Sequence, residues 1–226
     1  MYSFRSPNLN IISEFARLFF PACRIETLPT VDFDRTMKKR IHPGTNQVQY
    51  FVPSILAQLK SMRRKRHDRK ELFTVGVTMM DIYPDPAWNF VYGQASPDDG
   101  LGIYSFARFD PEFPRLSQNA CTTKEQTLIL PRAVSTYVHE VMHLFELEHC
   151  IYYLCLMNGA NGEEEMDQSL IYLCPICLRK MYLIIGQEHF RVMEMYQGIL
   201  ELSRRVGFDE EVKWYENRLQ ILNTNN

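Results

Sequence analysis

No stretch of these 226 residues approaches the roughly 20 consecutive apolar residues that cross a bilayer as a helix. A helical membrane span is therefore not expected. Neither sign of charge is in excess: 25 Lys and Arg stand against 27 Asp and Glu, a formal charge of -2. That balance gives no global attraction to nucleic acid or to an anionic membrane surface. A secretory signal is not expected either. The opening MYSFRSPNLNIISEFARLFFPACR interrupts its apolar residues with Glu14 and Arg17 and has no small-residue cleavage site. The chain is expected to be intracellular, in the cytoplasm, where thiols stay reduced and its six cysteines would be free or metal-bound rather than paired. There is no internal repeat and no low-complexity linker.

One basic run departs from this even charge. MRRKRHDRK (62–70) has the composition of a nuclear localisation signal or a nucleic-acid patch, which leaves the nucleus open as a second location. The plainer reading is a helix C-terminus, where cations favour the helix dipole, followed by a solvated loop. We adopt the plainer reading, and nucleic acid is not an expected partner.

The periodicities outline a mixed lobe followed by a helical one. IISEFARLFF has the spacing of a short amphipathic helix, and residues 23–28 and 72–82 read as strands. Residues 47–62 carry a helical stripe through Val48, Phe51, Ile55, Leu56 and Leu59, with Pro53 marking a later start. NFVYGQA (89–95) and GIYSFARF (102–109), separated by a Pro- and Gly-containing turn, read as an antiparallel hairpin. Residues 110–127 read as irregular. A helix is expected over 131–146, a loop around EEEMD (163–167), helical periodicity over 178–206 and a last helix over 209–222. The division expected is a lobe of residues 1–147 ending in the central helix and a lobe of residues 148–226.

The chemistry concentrates in HEVMHLFELEHC (139–150). His139 and His143, four residues apart on a helix, share a face and can grip one ion, in the H-E-x-x-H pattern of zinc peptidases. Glu140 lies one residue round, placed to take the proton of a water held at the ion's open position and pass it to the leaving nitrogen. His149 cannot join them on a continuous helix, because six residues advance it by about 9 Å and roughly 240°. The helix must stop and the chain must turn back. The extended motif H-E-x-x-H-x-x-G-x-x-H places a glycine at that turn, and here the position holds Glu146. A left-handed conformation with a Cβ costs roughly 1–2 kcal/mol. A well-formed zinc site contributes on the order of 10 kcal/mol, so the strain alone would not abolish it.

Cys150, Cys155, Cys174 and Cys177 form C-x4-C, an eighteen-residue spacer and C-P-I-C, the pattern of a closed tetrahedral thiolate site. Two disulfides or four buried thiols are the alternatives. Cys23 and Cys121 lack partners at metal spacing and read as core residues, and His42, His67 and His189 read as ordinary.

With these residues in place, the chain resembles the archaemetzincins, a family of metzincin-type zinc metallopeptidases, in their eukaryotic branch. The family pattern is H-E-x-x-H-x-x-G-x-x-H-C-x4-C-x-M followed by C-x-x-C. His139, Glu140, His143, His149, Cys150, Cys155, Met157, Cys174 and Cys177 match it, and Glu146 departs from it. The resemblance continues through 76–109 and CPICLRKM (174–181), so it covers about residues 10–200.

It implies an α+β, metzincin-like zincin fold: a mixed twisted sheet with an antiparallel edge strand, an active-site helix and a small helical C-terminal lobe. It implies two zinc ions per chain, one catalytic on His139, His143 and His149 with Glu140 as general base, one structural on the four cysteines. Met157 would form the Met-turn beneath the catalytic ion. The hairpin places the substrate-binding edge strand at Asn89, Phe90, Val91, Tyr92 and Gly93, where a peptide could add as a further strand. The expected function is metallopeptidase action on peptides or unfolded protein, with an aminopeptidase-like preference open, by a monomer. The alternative is a zinc-stabilised peptide- or protein-binding protein whose turnover is lost through Glu146.

Overall fold

The computed structural model describes residues 6–66, 70–111, 113–114, 128–160, 162–168 and 171–224. Cys121 and His67 lie outside them. The chain divides into two compact units, and they are not contiguous in sequence. One comprises Leu28–Glu146 with the residues before Asn8, and the other joins Asn8–Thr27 to Leu147–Asn226. Residues 8–27 thus group with the C-terminal unit rather than with the lobe of residues 1–147 expected above.

The first unit contains two three-stranded mixed sheets among the described residues. β1 (Lys39–Ile41) pairs antiparallel with β2 (Val48–Phe51), which pairs parallel with β4 (Asp81–Tyr83). β3 (Thr74–Thr78) pairs parallel with β6 (Leu101–Ser105), which pairs antiparallel with β5 (Gly93–Ser96). The order β3-β6-β5 leaves β5 at an edge. Every residue of β6 is buried, as befits a strand covered on both faces.

Several boundaries differ from the sequence reading for identifiable reasons. The stripe over 47–62 divides: Val48–Phe51 pairs as β2, and α2 (Val52–Arg64) starts with Pro53 in its first turn, as the later start at that proline anticipates. There proline needs no amide partner. The stretch 72–82 is two strands, because β3 and β4 belong to different sheets. Residues 23–28 form no strand.

The edge strand begins at Gly93, so Asn89, Phe90, Val91 and Tyr92 run ahead of it. Their partners explain this. The Asn89 carbonyl accepts from the Arg40 guanidinium at 2.9 Å and from Gln49 Nε2 at 2.9 Å. Phe90 lies under the Arg108 guanidinium. The Val91 amide donates to Ile82 of β4 at 3.2 Å, whereas the Tyr92 carbonyl accepts from Ser105 at 2.7 Å. The segment passes from a bond with β4 at Val91 to one with β6 at Tyr92, so Asn89–Val91 do not continue β5. Arg108 in turn holds buried Asp81 through two bonds of 2.8 Å.

Two arginines of the basic run are engaged by the fold, and Arg64, Lys65 and Lys70 are exposed. Arg63, in the last turn of α2, donates to the carbonyls of Glu71, Leu72, Asp99 and Gly100. Arg66 pairs with the Glu71 carboxylate at 2.6 Å. That bond, with a second from Thr74 Oγ1, holds the Glu71 pKa down at about 2 despite partial burial.

α3 (Ile129–Leu144) packs on β5 and β6 through a stripe containing Ala133, Val134, Val138, Val141 and Met142. The second unit is helical: α1 (Leu9–Phe19), the single-turn α4 (Glu163–Met166), α5 (Pro175–Ile185), α6 (Val192–Val206) and α7 (Asp209–Thr224). Ile12, Phe15, Ala16 and Phe19 form the buried face of α1. Full burial of such a large apolar side chain contributes roughly 1.5–3 kcal/mol. Phe15 stacks on Phe208, and Glu14 pairs with Arg205 of α6. Residues 178–206 are not one helix, because α5 ends at Gly186, whose φ of 96° no helix accommodates. No helix among the described residues is long and apolar enough to cross a membrane.

Candidate metal centre

α3 presents His139 and His143 one turn apart, with their Nε2 atoms 3.0 Å from each other. Two ligands of a tetrahedral zinc at 2.0–2.1 Å stand about 3.4 Å apart, so this spacing fits a shared ion. The helix ends at Leu144, and the Phe145 and Glu146 amides bond back to Met142 at 3.0 Å and His143 at 2.9 Å. Glu146 then takes φ 63°, the left-handed conformation for which the motif uses glycine. The turn is made without the glycine. Ligand atoms of His139, His143 and His149, all from one continuous segment, lie within 4.8 Å of one another.

His149 is braced from behind. A Cβ on Gly159 would come within 3.1 Å of its Nδ1, so a larger residue there would push the ring by a few tenths of an ångström. The Cys150 amide, next along the chain, donates to the Met157 carbonyl at 2.7 Å, and Met157 is fully buried.

The four cysteine sulfurs also lie within 4.8 Å of one another. Cys150 and Cys174 stand 3.6 Å apart, far beyond the roughly 2.05 Å of a disulfide but near the roughly 3.8 Å between two thiolates on one zinc. Main-chain amides point at the sulfurs: Cys174 and Met157 at Cys155 Sγ, Cys177 at Cys174 Sγ. Such donors favour thiolates. Burial raises the Cys177 and Cys155 thiols, whereas amide and thiol hydrogen bonds outweigh burial at Cys150 and lower it to about 7. One thiolate here opposes the next, and a dication relieves that opposition.

The loop between the first two cysteines makes the same point. Ile151, Tyr152, Tyr153 and Leu154 are 84%, 63%, 57% and 55% exposed, so apolar burial does not order it. Its ends do, together with Asn158, which accepts from the Cys155 amide at 2.8 Å and donates to the carbonyls of Cys150 at 2.7 Å and Tyr153 at 3.0 Å. Asn158 and Gly159 escape a sequence reading, although their place directly after Met157 was the available signal.

Glu140 follows His139 on α3, and its carboxyl carbon lies 3.2 Å from where a Cβ on Gly93 of the edge strand would stand. Burial pushes its pKa up to about 7.

Peptidase family M54 matches residues 24–182 of this chain. The chain belongs to that family, the archaemetzincins. Human archaemetzincin-2 is 33% identical over 221 residues, covering 85% of this chain and 59% of its own length. The chain therefore spans about three-fifths of that relative. A crystal structure of a zinc-dependent peptidase from Methanocorpusculum labreanum aligns with TM-score 0.53 and 25% identity, covering 78% of this chain and 92% of its own. The archaemetzincin structure from Methanopyrus kandleri aligns with TM-score 0.56 and 23% identity, covering 80% and 89%, and bears on the fold alone. Among the described residues the chain brings together two groups that could hold a metal, the three histidines and the four cysteines, and Glu146 stands where the family pattern has glycine.

Proposed function

We propose that the chain is a zinc-dependent peptidase in which Glu140 acts as general base on the attacking water. The observations that carry this are the ligand atoms of His139, His143 and His149 within 4.8 Å of one another and, on the same helix, a Glu140 carboxyl carbon 3.2 Å from where a Cβ on Gly93 of the edge strand would stand. A zinc ion held by His139, His143 and His149 would supply Lewis acidity toward a carbonyl and acidify water. The chain's own residues do the rest. Among the described residues β5 is the edge of its sheet, where an extended peptide can add as an antiparallel or parallel neighbour. Glu140 takes a proton from water and delivers it to the departing amine. Cys150, Cys155, Cys174 and Cys177 would hold a second zinc, which together with the turn at Met157 would keep the His149 segment in place. Substrates are peptides or unfolded segments, and an intracellular setting that keeps thiols reduced belongs to the same proposal.

The rival reading, binding without turnover, depends on the missing glycine. Glu146 at φ 63° supports the catalytic reading instead, because the backbone follows the path that glycine provides.

The test is cleavage of a peptide library, with free and blocked N-termini, by the zinc-loaded native chain and by Glu140→Ala. Cleavage by the native chain, lost at least 100-fold in Glu140→Ala with zinc retained, is the expected result. A zinc-replete native chain that cleaves nothing, or a Glu140→Ala variant of native rate, overturns the proposal.

A further inference from the structure

We infer that Tyr104 and Gly93 are positioning residues for Glu140, an inference that rests on the peptidase reading above. In the β5–β6 ladder Gly93 lies directly opposite Tyr104, and Ala95 opposite Gly102. Gly102 and Tyr104, two apart on β6, point to the same face. Tyr104 is fully buried, and its ring lies along the strands rather than standing away from them. A Cβ on Gly102 would sit 2.2 Å from Tyr104 Oη, and a Cβ on Gly93 would sit 2.4 Å from Tyr104 Cδ1. Both contacts are impossible, so the two glycines are what let the ring lie down.

The flattened ring reaches α3 at one residue. Tyr104 Oη donates to the main-chain carbonyl of Glu140 at 3.2 Å. A helical carbonyl has a second lone pair beyond the one its own helix uses, so this bond adds to the helix without breaking it. Tyr137, one turn earlier on α3, packs edge-on against the same ring. The ring is therefore fixed to the helix at the residue whose side chain does the proton transfer.

Gly93 meets Glu140 independently. Its missing Cβ would stand 3.2 Å from the Glu140 carboxyl carbon, tighter than ordinary packing. The glycine thus serves two groups at once, the ring that anchors the Glu140 backbone and the carboxyl itself. Backbone and carboxyl of Glu140 are both referred to the first residue of the edge strand, where a substrate carbonyl would be presented. A misplacement of about 1 Å at a reacting group can cost on the order of 100-fold in rate, so shifts of a few tenths of an ångström should cost roughly tenfold.

The test uses the full zinc-loaded chain with Tyr104→Phe and Gly93→Ala, reading kcat and KM separately, zinc content, and the Glu140 position in crystals of each variant. Tyr104→Phe keeps the ring and removes only the bond. The inference predicts kcat lowered roughly tenfold in Tyr104→Phe and by roughly 10- to 100-fold in Gly93→Ala, with KM within about twofold and zinc unchanged. It also predicts a displaced Glu140 carboxyl in Gly93→Ala crystals. A role in packing alone would show instead as lost zinc or lowered stability at unchanged kcat. Native kcat in Tyr104→Phe, or an unmoved carboxyl in Gly93→Ala, overturns the inference. Should the native chain cleave nothing, the peptidase reading fails by itself, and the crystallographic displacement still decides whether these residues position Glu140.

Discussion

The Cys150 amide donates to the Met157 carbonyl at 2.7 Å, and the Met157 amide points back at Cys155 Sγ at 3.5 Å. The residue after the third histidine is thereby bonded to the buried methionine, and that methionine to a cysteine of the second cluster. A single local network joins the His149 turn, the methionine turn and the thiolate site. The consequences can be measured separately.

The left-handed Glu146 is the first. Glu146→Gly relieves a strain of roughly 1–2 kcal/mol but loosens the unfolded chain by about 0.4–1 kcal/mol. Stability in chemical denaturation should therefore rise by no more than about 1.6 kcal/mol, and zinc affinity at the histidines should stay within a few-fold. Glu146→Val is different, because a β-branched residue at φ 63° is a severe outlier. Competition with a graded series of chelators should show histidine-site affinity falling at least tenfold.

Asn158 is the second. It accepts from one main-chain amide and donates to two carbonyls of the cysteine loop. Asn158→Ala leaves those groups without their partner at a cost of about 1–3 kcal/mol. Zinc release from the cysteine site, followed by a colorimetric chelator, should accelerate at least fivefold. A release rate equal to that of the native chain would show that the thiolates alone order the loop.

How much of this was legible in the sequence depended on whether the signal was local. His139, Glu140 and His143 follow from helix geometry, and the demand on residue 146 follows from the rise per residue. The departure at Asn89–Tyr92 was not legible. Its apolar alternation suits a strand, but Arg40 and Gln49, 49 and 40 residues earlier, take the Asn89 carbonyl, and Val91 bonds to the other sheet. Likewise the periodicity of α1 announced a helix but not its partner, since the Glu14–Arg205 and Phe15–Phe208 contacts close over most of the chain. The role of Tyr104 was invisible for a related reason. It needs two glycines and a carbonyl from three different elements.

The Arg66–Glu71 pair gives a pH-dependent prediction. Its carboxylate has a folded pKa of about 2 against an ordinary value of 4.5. A depressed carboxylate contributes stability that is fully present above the unfolded pKa and disappears as pH falls through the folded one. Both partners keep about one-fifth of their side-chain exposure, so we expect a contribution on the order of 1–3 kcal/mol. The stability gap between the native chain and Glu71→Gln should be constant from about pH 6 to 8 and close between about pH 4.5 and 2. A gap that persists unchanged at pH 2.5 would mean that the lost packing of Glu71, not its charge, is what matters.

The central claim is that a non-glycine turn still delivers His149 to the ion held by His139 and His143. Its most direct test is zinc per chain, by elemental analysis after dialysis against a chelator too weak to strip the cysteine site. The account predicts two zinc ions in the native chain and one in His149→Ala. A native chain that holds a single zinc, or a His149→Ala variant that holds two with native affinity, contradicts it.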